Sequence, residues 1–446
     1  GRLDLLQECP RVYLILIKKI TAAFDYSYTA LRLPPLIISC FSFLLLFYLV
    51  KRIFDKGSIY GYLWMLIIIS SQTFTDYMVQ VKQYEMDIFL CLLVFWQYLE
   101  LLDIARDGVG SRLRFLLLCA TVLVVPYFSY MYPIAFAPLV PLVTLKAIIS
   151  KRAEKSGAGI VYVLLPILIA TATIAVFYYI DVKQVMADDR MYLSYLKMLG
   201  QKKGEIHFIE NCWNLFALVG SGALFEIVFG VVGILAFVYN TYALARKRWS
   251  EFTTMDYLKA YAVLLLFVTL VLFLSGRLLG NVARLVVFTV PSISLLIAAL
   301  VKDMSNTARF VRVSRVVKVV LFLGLFGNIL STCINNFTYS DYNHCISTYR
   351  SITKALQQAR QSHIPIMITD GALAEKVPEP GPVPGSIASN TINQEQIDGA
   401  EYVCPEVVLK VDPEYKLWDT VAIYYMPDAK WIKEYFLQLP PQYNAA

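Results

Sequence analysis

Apolar runs of bilayer length recur along most of this chain, and nothing constrains its fold more. A hydrocarbon core about 30 Å thick takes about 20 helical residues to cross. Runs of that order, some shorter, lie near Ala30 to Val50, Ile59 to Ser71, Asp87 to Ile104, Leu113 to Pro126, Pro133 to Leu145, Gly159 to Ile180, Gly222 to Ala245, Leu258 to Ser275, Arg284 to Val301 and Val316 to Ile334. The expected fold is therefore an all-α polytopic membrane bundle of about ten spans. Pro126, Pro133, Pro138 and Pro141 interrupt the fourth and fifth runs, which read equally as a tight hairpin or as one broken span. Only 16% of the residues are charged, against about 25% in soluble domains.

Charge in the connections orients the bundle. Lys51, Arg52 and Lys56 occupy one connection, Arg106, Arg112 and Arg114 the next but one, followed by Lys146, Lys151, Arg152 and Lys155, then Arg246, Lys247 and Arg248, then Lys302, Arg309, Arg312, Arg315 and Lys318. The alternate connections are poor in basic residues, with Lys82 in the first, none in Tyr127 to Tyr132 and Arg277 in the last, the long loop at 181–221 with Lys202 and Lys203 standing apart. The positive-inside rule places the rich set in the cytoplasm. It also accounts for the net charge of +7 without nucleic acid as a partner.

Three parts follow. Residues 1–29, with Arg11, Lys18 and Lys19 interrupting RVYLILIKKITAAF, read as an interfacial amphipathic segment. Residues 30–334 form the bundle, with an outer loop at 181–221 long enough to act as a lid or binding loop. Residues 335–446 turn polar: a helix over Tyr349 to Ser362, strands over Ile364 to Thr369 and Thr420 to Tyr425, and a Pro-rich loop over Val377 to Pro384 predict a small α/β appendage outside the membrane. Cys40, Cys91, Cys119 and Cys333 lie in apolar runs and act as small hydrophobes, while Cys345 and Cys404 share the polar part and can pair in an oxidising compartment. His207, His344 and His363 lack metal-ligand spacing, so no metal site is expected.

The chemistry-bearing stretch is Gln72 to Asp87, QTFTDYMVQVKQYEMD, expected at the outer edge of the bilayer. Charges bordering hydrocarbon are costly and mark function by default, although snorkelling lysines and interfacial tyrosines share the pattern. Lys82, Arg277 and Arg284 are cations able to hold a lipid phosphate by charge-assisted hydrogen bonds, Arg284 equally reading as an interfacial anchor. Asp76, Glu85 and Asp87 are acids able to orient them or to take a hydroxyl proton.

The order of pieces resembles bacterial polyprenyl-phosphate-dependent glycosyltransferases of the GT-C fold, the protein mannosyltransferase and aminoarabinose transferase relatives. The matching residues are Leu31-Arg32-Leu33-Pro34 at the entry to a span, Lys82-Gln83-Tyr84 with Asp87 at the outer end of a later one, and RLVVFTVP from Arg284 to Pro291. The resemblance covers about residues 10 to 300. It implies transfer of a sugar from a polyprenyl-phosphate donor to a glycan, lipid or protein acceptor at the periplasmic face of a bacterial inner membrane, with the C-terminus outside and no tightly bound cofactor. It makes Lys82, Tyr84, Arg277 and Arg284 lipid-phosphate contacts and Asp76, Gln83 and Asp87 substrate-orienting residues. The family's catalytic Asp-Glu pair follows its first span, and Asp4 and Glu8 do not reproduce it. The base is thus expected upstream of Gly1, in a longer protein of which this chain is a part. A lipid or solute transporter and a non-catalytic envelope subunit are the competing readings.

Overall fold

The structure is a computed structural model that describes residues 10–24, 28–55, 57–77, 84–154, 158–183, 207–276, 278, 283–306, 311–338, 366–369, 407–408 and 422–425. The chain divides into two units, 1–334 and 335–446.

The first unit is helical throughout its described residues. Its elements are α1 (Arg11–Ala22), α2 (Tyr28–Ile53), α3 (Ile59–Ser70), α4 (Gln72–Tyr77), α5 (Tyr84–Asp107), α6 (Arg112–Val124), α7 (Tyr132–Phe136), α8 (Leu139–Glu154), α9 (Ala158–Phe177), α10 (Phe208–Ala217), α11 (Ala223–Ala245), α12 (Thr254–Leu274), α13 (Ala283–Val286), α14 (Val290–Asn306) and α15 (Val311–Thr338). Among the described residues seven helices are long and apolar enough to cross a membrane: Leu33–Ile53, Tyr84–Asp107, Tyr132–Ser150, Ile160–Val182, Ala223–Ala245, Thr254–Leu274 and Val287–Asn306. The chain is an integral membrane protein on this evidence. The other three expected spans fall on shorter apolar helices, at Ile59–Ser70, Arg112–Val124 and Lys318–Ile334.

Local sequence explains several boundaries. The 12-residue α3 stops where Ser71 adopts extended backbone, φ −64° and ψ 126°. α6 runs into a 3₁₀ turn, Val125–Phe128, that carries Pro126, and Pro133 opens α7 in its first turn, where the missing N–H costs no hydrogen bond. The region thus resolves into separate helical pieces that change direction at prolines. The capping box Thr253–Asp256 starts α12, each side chain bonding the other's backbone N–H. Of the expected long loop at 181–221, residues 184–206 lie outside the described residues, and its described ends are regular: a π turn, Tyr178–Val182, extends α9, and α10 buries Asn211, Leu215, Phe216 and Ala217.

Contacts between helix ends reproduce the alternation of charge. Arg52 on α2 reaches Glu100 and Asp103 on α5, at 2.5 and 2.7 Å. Lys259 at the start of α12 meets Asp303 near the end of α14 at 2.5 Å. Lys302 lies over Phe54 and Lys318 over Tyr60, joining the ends of α14 and α15 to the connection before α3. One end of the bundle therefore collects the basic connections.

The opposite half is tied by a buried amide. Asn328 on α15 donates to Ser70 O at 2.8 Å and Val219 O at 3.3 Å, and accepts from Ser221 N at 2.6 Å. We expect Asn328→Ala to cost about 2 kcal/mol, more than the ~0.6 of a single interhelical hydrogen bond in a bilayer, because three backbone groups lose a partner together. Thermal unfolding of the purified protein in detergent reads this directly; an unchanged midpoint would contradict it.

In the second unit three short strands, β1 (Ile366–Thr369), β2 (Val407–Val408) and β3 (Ala422–Tyr425), form an antiparallel sheet in the order β1-β3-β2, with Ile366 opposite Tyr425. Two of them fall within the expected strands, and β2 was not anticipated. The expected helix at Tyr349 to Ser362, the Pro-rich loop, and Cys345 and Cys404 lie outside the described residues.

Candidate functional site

Of the Gln72 to Asp87 stretch, Gln72–Tyr77 forms α4 and residues 84–87 open α5, while 78–83 lie outside the described residues. α3 rises from the basic end, but its 12 residues cover only about 18 Å. α15 runs alongside in the same direction, Lys318 beside Tyr60 and Asn328 beside Ser70, and continues ten residues beyond Asn328, about 15 Å. On the other side Ser42, in the middle of the apolar part of α2, donates to Glu85 at 3.0 Å, and α2 extends from there to Tyr28. The end of α3 and α4 thus lie beside longer helices, while α5, about 36 Å from Tyr84 to Asp107, is itself long enough to cross a membrane.

The first turn of α5 is buried. Tyr84, Glu85 and Asp87 are 2%, 0% and 3% exposed, which removes the solvated-loop reading for these three residues. Acidic residues suit this turn, since the free amides of a helix N-terminus carry partial positive charge. Tyr84 stacks obliquely on Tyr77 of α4, centroids 4.9 Å apart. Glu85 faces α2, where Ser42 and Ser39 lie one turn apart, and its Oε2 has no hydrogen-bond partner among the described residues. Asp87 faces the other way and accepts a short hydrogen bond from Ser129, whose hydroxyl also takes the Met131 N–H at 2.9 Å. Residues two apart on a helix do not share a face, so Glu85 and Asp87 serve different neighbours and cannot act as one paired acid and base.

Asp181 completes the corner and was read in the sequence only as the start of a loop. It is 3% exposed, accepts from the Arg11 backbone N–H at 3.0 Å and from Tyr130 at 3.3 Å, and lies 3.5 Å from the Arg11 guanidinium. The first turn of α1 has no acid of its own, so Asp181 supplies the anion that its N-terminus favours. Ser129 and Tyr130 are neighbours in sequence, so one turn after α6 holds both Asp87 and Asp181. The only sequence signal for that turn was its polar residues between two prolines.

Of the other expected site residues, Lys82, Gln83 and Arg277 lie outside the described residues. Asp76 belongs to α4 and Arg284 to α13 by backbone alone. The segment after Arg284 is placed: the 3₁₀ turn Val287–Thr289 packs against α5, and Trp64 of α3 donates to Pro291 O at 2.9 Å. RLVVFTVP therefore lies alongside the helix that opens with Tyr84 and Asp87. Among the described residues no three His, Cys, Asp or Glu side chains gather as a metal site.

Comparison with family models, with curated proteins and with solved structures returned no match for this chain.

Proposed function

We propose that this protein is a membrane glycosyltransferase that moves a sugar from a polyprenyl-phosphate donor to an acceptor at the end of the bundle opposite its basic connections. The observation that carries the reading is the buried first turn of α5, which follows Lys82-Gln83 in sequence, with Asp87 held by Ser129 and the 3₁₀ turn of the RLVVFTVP segment packed against the same helix. A phosphate at this place meets the N-terminal amides of α5, which favour anions, and Lys82 adds a point charge.

In the reaction a base takes the proton of the acceptor hydroxyl, the oxygen attacks the anomeric carbon, and the bond to the phosphate oxygen breaks with release of polyprenyl phosphate. Lys82, with Arg277 and Arg284, stabilises the charge growing on that leaving phosphate. Asp87 and Gln83 orient the sugar, and Tyr84 lines the site. The finer expectations go with this reading: a GT-C-like bundle of about ten spans, a bacterial inner membrane, and an α/β appendage on the periplasmic side.

One observation favours a second reading, a transporter or flippase. Glu85 is fully buried in the first turn of the α5 span with one oxygen lacking a partner among the described residues, as expected of a group that exchanges protons or ions during transport. The fate of a lipid-linked sugar in reconstituted vesicles separates the two. Transfer releases polyprenyl phosphate and a glycosylated acceptor, whereas transport leaves the donor intact and moves it between leaflets.

A further inference from the structure

At the basic end, between the first turns of α3, the last turns of α14 and the early part of α15, runs an apolar groove of about 330 Å³. Ile59, Tyr62, Leu66, Val301, Phe322 and Leu325 line it. Ile59 and Phe322 are 62% and 65% exposed, so the groove opens sideways toward the surroundings of the spans, which for a membrane protein means hydrocarbon. An acyl chain completes such a wall without desolvating any polar group.

The groove also carries a cation. Lys318 lines it, its ammonium 5.4 Å from the centre of the Tyr60 ring. Three cations at this end have acids, Arg52 with Glu100, Lys247 with Asp256 at 2.5 Å and Lys259 with Asp303 at 2.5 Å, whereas Lys51 and Lys302 sit over the rings of Phe47 and Phe54, away from the groove lining. Lys318 has no carboxylate partner among the described residues. Arg312 and Arg315 precede it in α15 by six and three residues, toward the same end of the helix. A hydrocarbon groove with an uncompensated ammonium where the apolar span ends matches a lipid with an anionic head in both chemistry and order.

We propose that this groove binds one chain of an anionic phospholipid from the leaflet at the basic end, with the lipid phosphate on Lys318. The site is independent of sugar transfer, because it lies at the end opposite the first turn of α5. For the same reason the occupant is a bilayer phospholipid and not the polyprenyl-phosphate donor, whose head belongs at that turn. Such a lipid ties α3 to α15 from outside, as Asn328 does from inside.

Native mass spectrometry of the full chain, titrated with phosphatidylglycerol or phosphatidylcholine, tests this. The expected result is one phosphatidylglycerol bound in preference to phosphatidylcholine. Lys318→Ala is expected to weaken phosphatidylglycerol about fivefold, the contribution of one cation near a lipid surface, and to leave phosphatidylcholine unchanged. Leu323→Trp and, separately, Val319→Trp fill the groove from exposed positions and should weaken both lipids. Lys51→Ala, at the same end but seated over Phe47 at 4.1 Å, should change neither. Equal losses in Lys51→Ala and Lys318→Ala would overturn the proposal in favour of diffuse attraction. Displacement of phosphatidylglycerol by equimolar polyprenyl phosphate would overturn it in favour of a donor site.

Discussion

Lys82→Ala and Asp87→Ala are each expected to lower sugar transfer by about a hundredfold or more in the reconstituted protein, while leaving it folded and inserted. For Lys82 the figure reflects loss of a preorganised charge at the leaving phosphate, where one donor contributes about 10²–10³ in rate. For Asp87 it reflects positioning, since a displacement of about 1 Å at a reacting centre costs about a hundredfold. The two differ in what a conservative change should do. Asp87→Asn keeps an acceptor for the Ser129 hydroxyl and is expected to retain more activity than Asp87→Ala. Lys82→Arg keeps the charge and is expected to retain part of the rate. The readout is polyprenyl phosphate released per minute, with size-exclusion profiles as the folding control. Wild-type turnover in both alanine variants would remove this stretch from the mechanism.

Arg52→Ala is expected to be the most destabilising single change at the basic end, by about 3 kcal/mol or more. Its guanidinium spans Glu100 at 2.5 Å and Asp103 at 2.7 Å, and the Glu100 side chain is only 7% exposed. Asp103 keeps Arg106 as a partner, at 3.3 Å, and stays half in solvent. Glu100 has no second cation among the described residues, so removing Arg52 leaves a buried charge uncompensated, which costs far more than an exposed pair contributes. Arg52→Lys restores charge but cannot present two parallel N–H groups to two carboxylates, so partial recovery is expected. The double variant Arg52→Ala with Glu100→Gln should be more stable than Arg52→Ala alone. Unfolding midpoints in detergent across this set measure the coupling; an additive result would mean that the pair contributes nothing.

Much of the bundle was legible because bilayer length and loop charge are one-dimensional signals. Runs such as Ala30 to Val50 and Leu258 to Ser275 announce a span by composition, and their basic ends do meet in space, as Arg52 with Glu100 and Lys259 with Asp303 show. Tertiary partners were not legible. Ile59 to Ser71 reads as a short span, and only the structure shows that its end is tied to α15 through Asn328. The partners of the buried acids were equally hidden. Ser39, Ser42 and Ser129 look like ordinary small residues in apolar surroundings until α2 and the turn after α6 bring them to Glu85 and Asp87. Asp181 gave a weaker clue as the first charge after a long apolar run, but its link to Arg11 spans 170 residues and has no local signature. Of the candidate site itself, Tyr84 and Asp87 could be seen together in the sequence because they share one helical turn. Their separation from Glu85 in direction follows from helix geometry alone.

The measurement that tests sugar transfer most directly follows a doubly labelled polyprenyl-phosphate sugar in vesicles holding the protein, with the donor supplied to one leaflet at a time. The account predicts cleavage of the bond between sugar and phosphate only when the donor faces the end that carries Asp87, with the sugar recovered on an acceptor. Intact donor appearing in the other leaflet, with both labels still joined, would contradict it and make the protein a carrier of that lipid.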